Sequence, residues 1–520
     1  MRAAFTWLVV FFSLLPCAAA PAPAGATRPN FVFILVDDLG WRDPGFSGTG
    51  YCETPHLDRL RQQGMWFPQA YSASPYCSPS RAAIQTGRNP ARSGITMFIG
   101  YGRAGVMRQL VEPLNVSKLP ADDVTIGQAL QEAGYATGFS GKWHLGADRD
   151  SFPDRHGYDH VRGVATGAGA GGRYFSPYVQ KAFAVLPETN LPDGPRGEFI
   201  EDRLVNESLS FIRTQVHARR PFLLFHCCYA MHDPIDARDE LVAKYRAKLE
   251  RIAPAGEPRS VREGYVQFSG RAVALEQRNP VFAAMLEMLD ASLGRLLDEM
   301  DRLGIADNTV IVFTSDNGGL ATKNTAVARH AVPLSSHDTA NAPLRGGKGY
   351  LFEGGIRVPL LVRWPGRVAP GSICETPVML TDFYATFLEL AGQAPRPNQA
   401  LDSVSLAPLL RGTGPLAPRS LFWHMPQYGT TGDFPGSVIR QGDFKLIHFY
   451  EEERAHLYDL RQDVGERWDL AETMSEKAAE LRRELDSWRA TVAAKSPSPN
   501  PNYDPAIDPR LHPPTRANQR

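Results

Sequence analysis

The chain has 520 residues, of which 43% are hydrophobic and 22% charged, and its 56 basic and 56 acidic side chains give a formal net charge of zero. This balance excludes the basic footprint of a nucleic-acid-binding protein and the low hydrophobicity of a disordered chain. The length exceeds what one hydrophobic core usually supports, so we expect a large domain and a smaller one.

The amino-terminal residues have the pattern of a secretory signal peptide. Arg2 precedes an apolar run at 5–15, and the alanines at 18–20 offer a small-residue cleavage site. We therefore predict a signal peptide over residues 1–20 and a secreted or periplasmic location, which becomes lysosomal or extracellular in a eukaryote. The apolar run is too short to cross a bilayer and no other stretch is long enough, so no stable membrane span is expected.

Strand-like apolar runs alternate with helical patterns over most of the chain, which we assign to one domain at 27–415. The predicted strands are 31–36, 221–228, 309–314 and 358–364. The predicted helices are 55–63, 125–133, 279–303 and 381–391. This alternation predicts an α/β sandwich with a large, mostly parallel central sheet.

The pattern changes after residue 415. Two short strands at 436–440 and 444–448 flank a turn-forming Gln-Gly-Asp, and a third strand at 455–460 precedes an amphipathic helix at 475–492. We therefore predict a smaller α+β subdomain over 416–495. Residues 496–520 are rich in Pro, Asn and Asp, which predicts an extended or disordered tail.

Five cysteines follow the predicted signal peptide: Cys52, Cys77, Cys227, Cys228 and Cys374. An odd number leaves at least one thiol unpaired in an oxidising compartment. Cys227 and Cys228 are neighbours in an apolar strand and are not expected to bond each other. The pairing of the remaining cysteines stays open.

Carboxylates follow two of the predicted strands. Asp37 and Asp38 come directly after the first strand, and Asp316 and Asn317 close the strand that begins at 309. In open α/β sheets, ligands collect at the carboxyl ends of the strands. Three carboxylates brought together without a cation would force at least one pKa up strongly. The pattern therefore predicts a hard divalent cation with oxygen ligands, Ca²⁺ or, as the alternative, Mg²⁺.

Cys77 stands at a predicted helix start. Ser78 is a suitable N-cap and Pro79 a favoured first helical residue, so Cys77 would lie at the helix N-terminus. That end carries unpaired N–H groups and the positive end of the helix dipole, which suit an anion. Arg81, one turn further on, can direct a bidentate guanidinium at the same anion.

Four windows resemble the type I sulfatase family. The run C-S-P-S-R-A-A-I-Q-T-G-R at 77–88 resembles its first signature, and G-K-W-H-L-G at 141–146 matches its second. Strand alternation in the second window would place Lys142 and His144 on one face. His232-Asp-Pro and the G-G-K…E-G-G segment at 346–355 resemble two further family segments. The resemblance implies an alkaline-phosphatase-like sandwich with a C-terminal α+β subdomain, similar to arylsulfatases and N-acetylgalactosamine-6-sulfatases.

The resemblance also implies roles for individual residues. Cys77 would be oxidised to formylglycine by a formylglycine-generating enzyme, and the hydrated aldehyde would attack sulfur. Calcium would be held by Asp37, Asp38, Asp316, Asn317 and residue 77. The sulfate would be bound by Lys142, His232 and Lys348, with Arg81 holding the hydrate and sulfate oxygens. Proton transfer would fall to Asp316 for the attack, to His232 with Lys348 for the leaving oxygen, and to His144 for sulfate release.

The substrate is left open by the sequence. His337 lies in a segment, 326–341, that does not align with the family pattern, and the glycine-rich stretch at 163–172 is a second departure. Both are candidate pocket loops, and His337 is a candidate substrate contact. A sulfated glycan, a sulfated lipid or a small aryl ester all remain possible, as do a phosphoester hydrolase of the same fold and a non-catalytic binder of sulfated glycans.

Overall fold

The computed structural model describes residues 28–102, 108–165, 167, 169–170, 173–178, 191–252, 260–262, 272–322, 339–429, 434–452 and 454–507. The predicted signal peptide and the end of the predicted tail lie outside these ranges. Within them, none of the helices combines the length and the apolar character that crossing a membrane requires.

The strands in chain order are Asn30–Val36 (β1), Met65–Trp66 (β2), Ala70–Tyr71 (β3), Leu110–Val111 (β4), Ala136–Gly141 (β5), His160–Arg162 (β6), Phe222–Cys227 (β7), Ser260–Arg262 (β8), Ala272–Ala274 (β9), Thr309–Ser315 (β10), Arg357–Val358 (β11), Leu360–Arg363 (β12), Ser372–Ile373 (β13), Val378–Met379 (β14), Ser420–Met425 (β15), Gly436–Gln441 (β16), Phe444–Phe449 (β17), Ala455–Asp459 (β18) and Ser498–Pro499 (β19).

The α-helices in chain order are Pro55–Gln63 (α1), Cys77–Thr86 (α2), Pro90–Ser93 (α3), Ile126–Glu132 (α4), Ile200–Ala218 (α5), Asp239–Ile252 (α6), Pro280–Arg302 (α7), Glu353–Ile356 (α8), Asp382–Leu390 (α9), Ala407–Arg411 (α10) and Ser475–Thr491 (α11). Short 3-10 turns occur at Gly45–Ser47, Arg149–Ser151, Pro153–His156, Ala306–Asn308 and Pro505–Ile507.

The central sheet has eight strands in the order β13-β2-β12-β10-β1-β7-β5-β6. Strands β10, β1, β7, β5 and β6 run parallel, while β12 is antiparallel to β10. Every residue of β1, β5, β7 and β10 is buried. Helices α1, α5, α6 and α7 cover one face, and α2, α4, α9 and α10 cover the other. Burial on both faces explains why these strands read as continuous apolar runs.

The predicted strand at 358–364 is wrong in its extent. Pro359 separates β11 from β12, and β11 pairs with β3 in a three-stranded sheet while β12 joins the central one. Proline has no N–H to give to a ladder, so a strand interrupted by it can change partners there.

The C-terminal region contains a four-stranded antiparallel sheet, β15-β16-β17-β18. Gly442, with a φ of 59°, forms the turn between β16 and β17 that the Gln-Gly-Asp sequence predicted. Leu481 and Leu485 of α11 pack on Ile439 and Leu446 of this sheet. The first strand, β15, was not predicted. Residues Ser498–Pro499 of the tail are extended and pair with β4.

A buried ion network joins the C-terminal sheet to the larger unit. Lys445 of β17 donates to Glu353 of α8 at 3.0 Å and to Glu466 at 2.7 Å, and these three side chains are fully buried. Glu353 also pairs with Arg357 at 3.4 Å. Glu353 and Arg357 therefore form a structural ion pair.

We predict that Lys445→Met lowers the free energy of unfolding by about 3–5 kcal/mol, because it leaves two buried carboxylates without their shared cation. Urea unfolding followed by circular dichroism measures this change. The control is Lys477→Met, since Lys477 makes a partly exposed pair with Glu480, and a surface pair contributes less than about 1 kcal/mol. Equal stability of the two variants would contradict the prediction.

Candidate active site

The predicted acidic residues meet at one edge of the central sheet. Strands β1 and β10 are parallel neighbours with Val36 opposite Ser315, so the residues that follow them emerge side by side. Asp38 has a φ of 55°, so the chain leaves the strand there in the left-handed region. Asp37, Asp38, Asp316 and Asn317 are at most 1% exposed. The structure thus brings four of the five predicted metal ligands together at this edge.

Helix α2 directs its first turn at this acidic cluster. The helix begins at Cys77 and its N-cap is Tyr76, so the prediction of Ser78 as N-cap is wrong. The Ser78 hydroxyl instead accepts the Ile99 N–H at 2.9 Å. Arg81 donates through Nε to Asp316 at 2.7 Å and through Nη1 to the Lys142 carbonyl at 2.7 Å. Cys77 and Arg81 are therefore fixed beside the carboxylates.

Lys142 and His144 reach the site by a turn, and their predicted placement on a strand face is wrong. Strand β5 ends at Gly141, whose φ is 97° and whose missing Cβ would lie 1.9 Å from the Cys227 carbonyl oxygen. Only glycine tolerates that approach, and it lets the chain turn away from the sheet. Lys142 then donates to Asp37 at 2.5 Å, and His144, with a φ of 56°, faces Cys77.

His232 and Lys348 both lie at the Asp38 carboxylate. Lys348 Nζ donates to Asp38 Oδ2 at 2.6 Å, and His232 Nε2 lies 3.8 Å from the same oxygen. The His232 side chain is 16% exposed, whereas those of Asp37, Asp38 and Lys142 are buried completely. His232 therefore lies where a substrate would enter.

Two further histidines, His337 and His424, are not among the groups described above. His337 lies outside the described residues, as does part of the glycine-rich stretch 163–172. His424 is buried in the C-terminal sheet, where its ring nitrogens bond the Ser437 hydroxyl and the Lys495 carbonyl. His424 is therefore a core residue of the C-terminal sheet.

Burial and mutual repulsion strain the acidic cluster. Burial, reinforced by Asp316 and Asp38 and opposed by Lys142, raises the pKa of Asp37 well above its ordinary value. Burial acts the same way on Asp38, but Lys348, His232 and Lys142 outweigh it and lower the pKa of Asp38. The cluster therefore holds one carboxyl that resists ionisation, the state that a bound cation would relieve.

The donor atoms suit a hard cation. Asp37 Oδ1 and Asn317 Oδ1 are buried and have no hydrogen-bond partner. Ligand atoms of Asp37, Asp38 and His232 also lie within 4.8 Å of one another. Buried oxygens are normally paired, and carboxylate and amide oxygens are the ligands that Ca²⁺ takes. The residues present therefore fit a calcium ion.

Cys77 and His144 are in direct contact. Cys77 Sγ lies 3.2 Å from His144 Nδ1, and His144 Nε2 donates to the Ile99 carbonyl at 3.1 Å. That bond assigns the proton to Nε2 and leaves the Nδ1 lone pair facing position 77. Burial and Lys142 lower the pKa of His144 well below its ordinary value, which keeps the ring neutral. His144 is thus arranged as a base.

Three residues that support the site through hydrogen bonds could not be predicted from the sequence. The Ile99 carbonyl fixes the His144 tautomer from 45 residues away. Tyr174 donates to the His232 carbonyl at 2.5 Å, and Glu201 accepts the N–H groups of Tyr229 and Ala230 just before that histidine. These residues belong to none of the family windows, so only the fold reveals them.

Comparison with known families decides the classification. The family model Sulfatase matches residues 29–393, and a second model, N-sulphoglucosamine sulphohydrolase, C-terminal, matches residues 347–491. The chain belongs to the sulfatase family. It is therefore a sulfuric ester hydrolase, and the resemblance that the four windows predicted is confirmed.

Known sulfatases are similar to this chain over most of its length. It is 32% identical to N-acetylgalactosamine-6-sulfatase of Canis lupus familiaris, over 80% of this chain and 71% of the relative. It is also 32% identical to arylsulfatase A of Bos taurus, over 90% of this chain and 88% of the relative. A solved structure, Ps i-CgsB in complex with k-i-k-neocarrahexaose, superposes with a TM-score of 0.71 and 27% identity, over 94% of this chain and 99% of that one. The predicted fold class is confirmed.

Proposed function

We propose that this sulfatase hydrolyses a sulfate ester of a carbohydrate, or an aryl sulfate, to alcohol and inorganic sulfate through a formylglycine derived from Cys77. The observation that carries the proposal is Cys77 at the start of α2, between the His144 base and the acidic cluster. The names of the relatives and the oligosaccharide in the Ps i-CgsB complex support a sulfated glycan as substrate. A formylglycine-generating enzyme would act during maturation, and the route would be secretory or periplasmic.

Calcium would be held by Asp37, Asp38, Asp316, Asn317 and residue 77. When bound, it supplies positive charge to the oxygens of the nucleophile and of the sulfate. Lys142 and Lys348 already pair with Asp37 and Asp38, at 2.5 and 2.6 Å. A cation taken up by these carboxylates would leave both ammonium groups to an anionic substrate.

Formylglycine would supply a hydrated aldehyde, whose two hydroxyls allow both attack on sulfur and later release of sulfate. An unmodified thiol is poorly suited to this position, since burial raises the pKa of Cys77 despite the nearby Lys142 and Lys348. In this proposal His144 takes a proton from position 77, which is supported by the 3.2 Å contact of its Nδ1 atom with Cys77 Sγ.

The leaving oxygen needs a proton donor when the alcohol is a sugar. Burial, Lys348 and Lys142 lower the pKa of His232 to about 4, so the ring is neutral before substrate arrives. An anionic sulfate beside Nε2 would raise that pKa, because a nearby opposite charge favours the protonated ring. Substrate binding would therefore help to protonate the acid that acts on it.

We predict that Cys77→Ser folds and binds sulfate esters but loses turnover on the order of a thousandfold or more, because an unconverted serine has one hydroxyl and lacks the second one that would expel sulfate. Steady-state kinetics with an aryl sulfate measure the loss. Cys374→Ser, which changes a partly exposed cysteine directly after β13, should keep wild-type turnover. Near-normal turnover by Cys77→Ser would overturn the mechanism.

We predict that removing calcium abolishes activity and lowers the unfolding temperature, because the carboxylates are left to repel one another. Adding calcium should restore both. Asn317→Ala should weaken calcium binding in calorimetry, whereas Asn308→Ala, at the other end of β10, should not. Full activity in protein shown to be metal-free by elemental analysis would refute the calcium assignment.

We predict that His232→Ala slows hydrolysis of a sugar sulfate about 10²–10⁴-fold and hydrolysis of an activated aryl sulfate much less, because a phenolate leaves without a proton. His144→Ala should instead release one equivalent of alcohol rapidly and then turn over slowly. Stopped-flow kinetics on both substrates test the two roles. Equal losses on both substrates, with no rapid phase in either variant, would show that the roles are wrongly assigned.

A further inference from the structure

A second cluster of potential ligands lies under the active site on the opposite face of the sheet. Successive side chains of β7 alternate between faces, so His226 and Cys228 point away from the site toward α5. Glu201 and Ser208, two turns apart on α5, face them. All four residues are 0% exposed.

Two buried polar atoms of the cluster have no hydrogen-bond partner. The Glu201 Oε1 atom accepts the N–H groups of Tyr229 and Ala230, both at 2.8 Å. Its Oε2 atom has no N–H or O–H donor, and the only other group that the carboxylate meets within the described residues is the Cys228 thiol. His226 Nδ1 bonds the Ser208 hydroxyl at 3.0 Å, while Nε2 has no partner. A carboxylate oxygen and a ring nitrogen left unpaired at this depth are costly unless something else binds them.

The three side chains lie close enough together to share one ion. Ligand atoms of Glu201, His226 and Cys228 all lie within 4.8 Å of one another. Tetrahedral zinc with bonds of about 2.0–2.3 Å places its ligands about 3.3–3.8 Å apart, so small side-chain rotations would close the site. A buried water would complete the tetrahedron.

We propose that Glu201, His226 and Cys228 bind a divalent transition metal ion, zinc by preference, at a site separate from the calcium site. One nitrogen, one sulfur and one oxygen donor are zinc-type ligands, unlike the oxygen donors around Asp37. A doubly charged ion balances one thiolate and one carboxylate, so the buried site carries no net charge. Ser208 and the two backbone N–H groups orient the ligands from outside, as partners of metal ligands commonly do.

The metal would act as a brace for the catalytic loop. Glu201 holds the backbone of Tyr229 and Ala230, which precede His232 by two or three residues, and Cys228 begins the same segment. Fixing Glu201 to β7 would therefore hold the loop that presents His232. None of the three ligands touches the reacting atoms.

Elemental analysis of untagged protein purified from zinc-supplemented medium tests the proposal. We expect about one zinc per chain in addition to calcium, and loss of that zinc in His226→Gln and in Cys228→Ser. The matched control is Cys227→Ser, the adjacent thiol on the opposite face, which should keep its zinc. Zinc at background level in the wild type, or zinc retained by both ligand variants, would overturn the proposal.

A second experiment, cobalt absorption spectroscopy, tests the proposal even if a ligand variant does not fold. Cobalt added to the Cys77→Ser protein should give an ultraviolet thiolate-to-cobalt charge-transfer band, since Cys77 can no longer supply the sulfur. The band should disappear on competition with zinc but persist in excess calcium. Absence of the band would mean that Glu201, His226 and Cys228 form a metal-free neutral cluster.

Discussion

The arrangement of the active site depends on three carboxylates that are buried next to one another. Asp37, Asp38 and Asp316 meet because β1 and β10 are parallel, adjacent and end in register. Water cannot screen them there, so their charges must be met by protein cations and, in our proposal, by calcium. Arg81, Lys142 and Lys348, from three separate segments of the chain, form ion pairs with these carboxylates. The charge of the acidic cluster therefore organises the cationic groups that a sulfate ester would need.

The same constraint explains the unusual backbone around the site. Asp38 and His144 adopt left-handed conformations that cost a non-glycine residue free energy, and such conformations persist only where the surroundings fix them. The Asp38 carboxylate is fixed by Lys348 and by the Asn317 amide, and the His144 ring by the Ile99 carbonyl. The free-energy cost of these backbone conformations is thus offset by contacts that orient the Asp38 carboxylate and the His144 ring.

Much of this arrangement was accessible from the sequence. The family windows and the carboxylates at the strand ends pointed to residues that the structure brings together. Apolar runs predicted β1, β7 and β10, because strands buried on both faces need no alternation. The turn after Gly141 was missed, since only the approach of the Cys227 carbonyl shows that the strand must stop there. The partners Ile99, Tyr174 and Glu201 were missed for a similar reason: their contacts join distant segments and leave no local pattern. Pro359, in contrast, was a visible signal of the break between β11 and β12.

The central claim is that position 77 of the mature enzyme carries an aldehyde, held between a base and a metal-binding cluster. Mass spectrometry of the proteolytic peptide containing position 77, prepared from active enzyme with and without an aldehyde-reactive hydrazide, tests it most directly. The account predicts the mass of formylglycine and a hydrazone adduct in proportion to specific activity. An intact cysteine at position 77 in fully active enzyme would contradict the account.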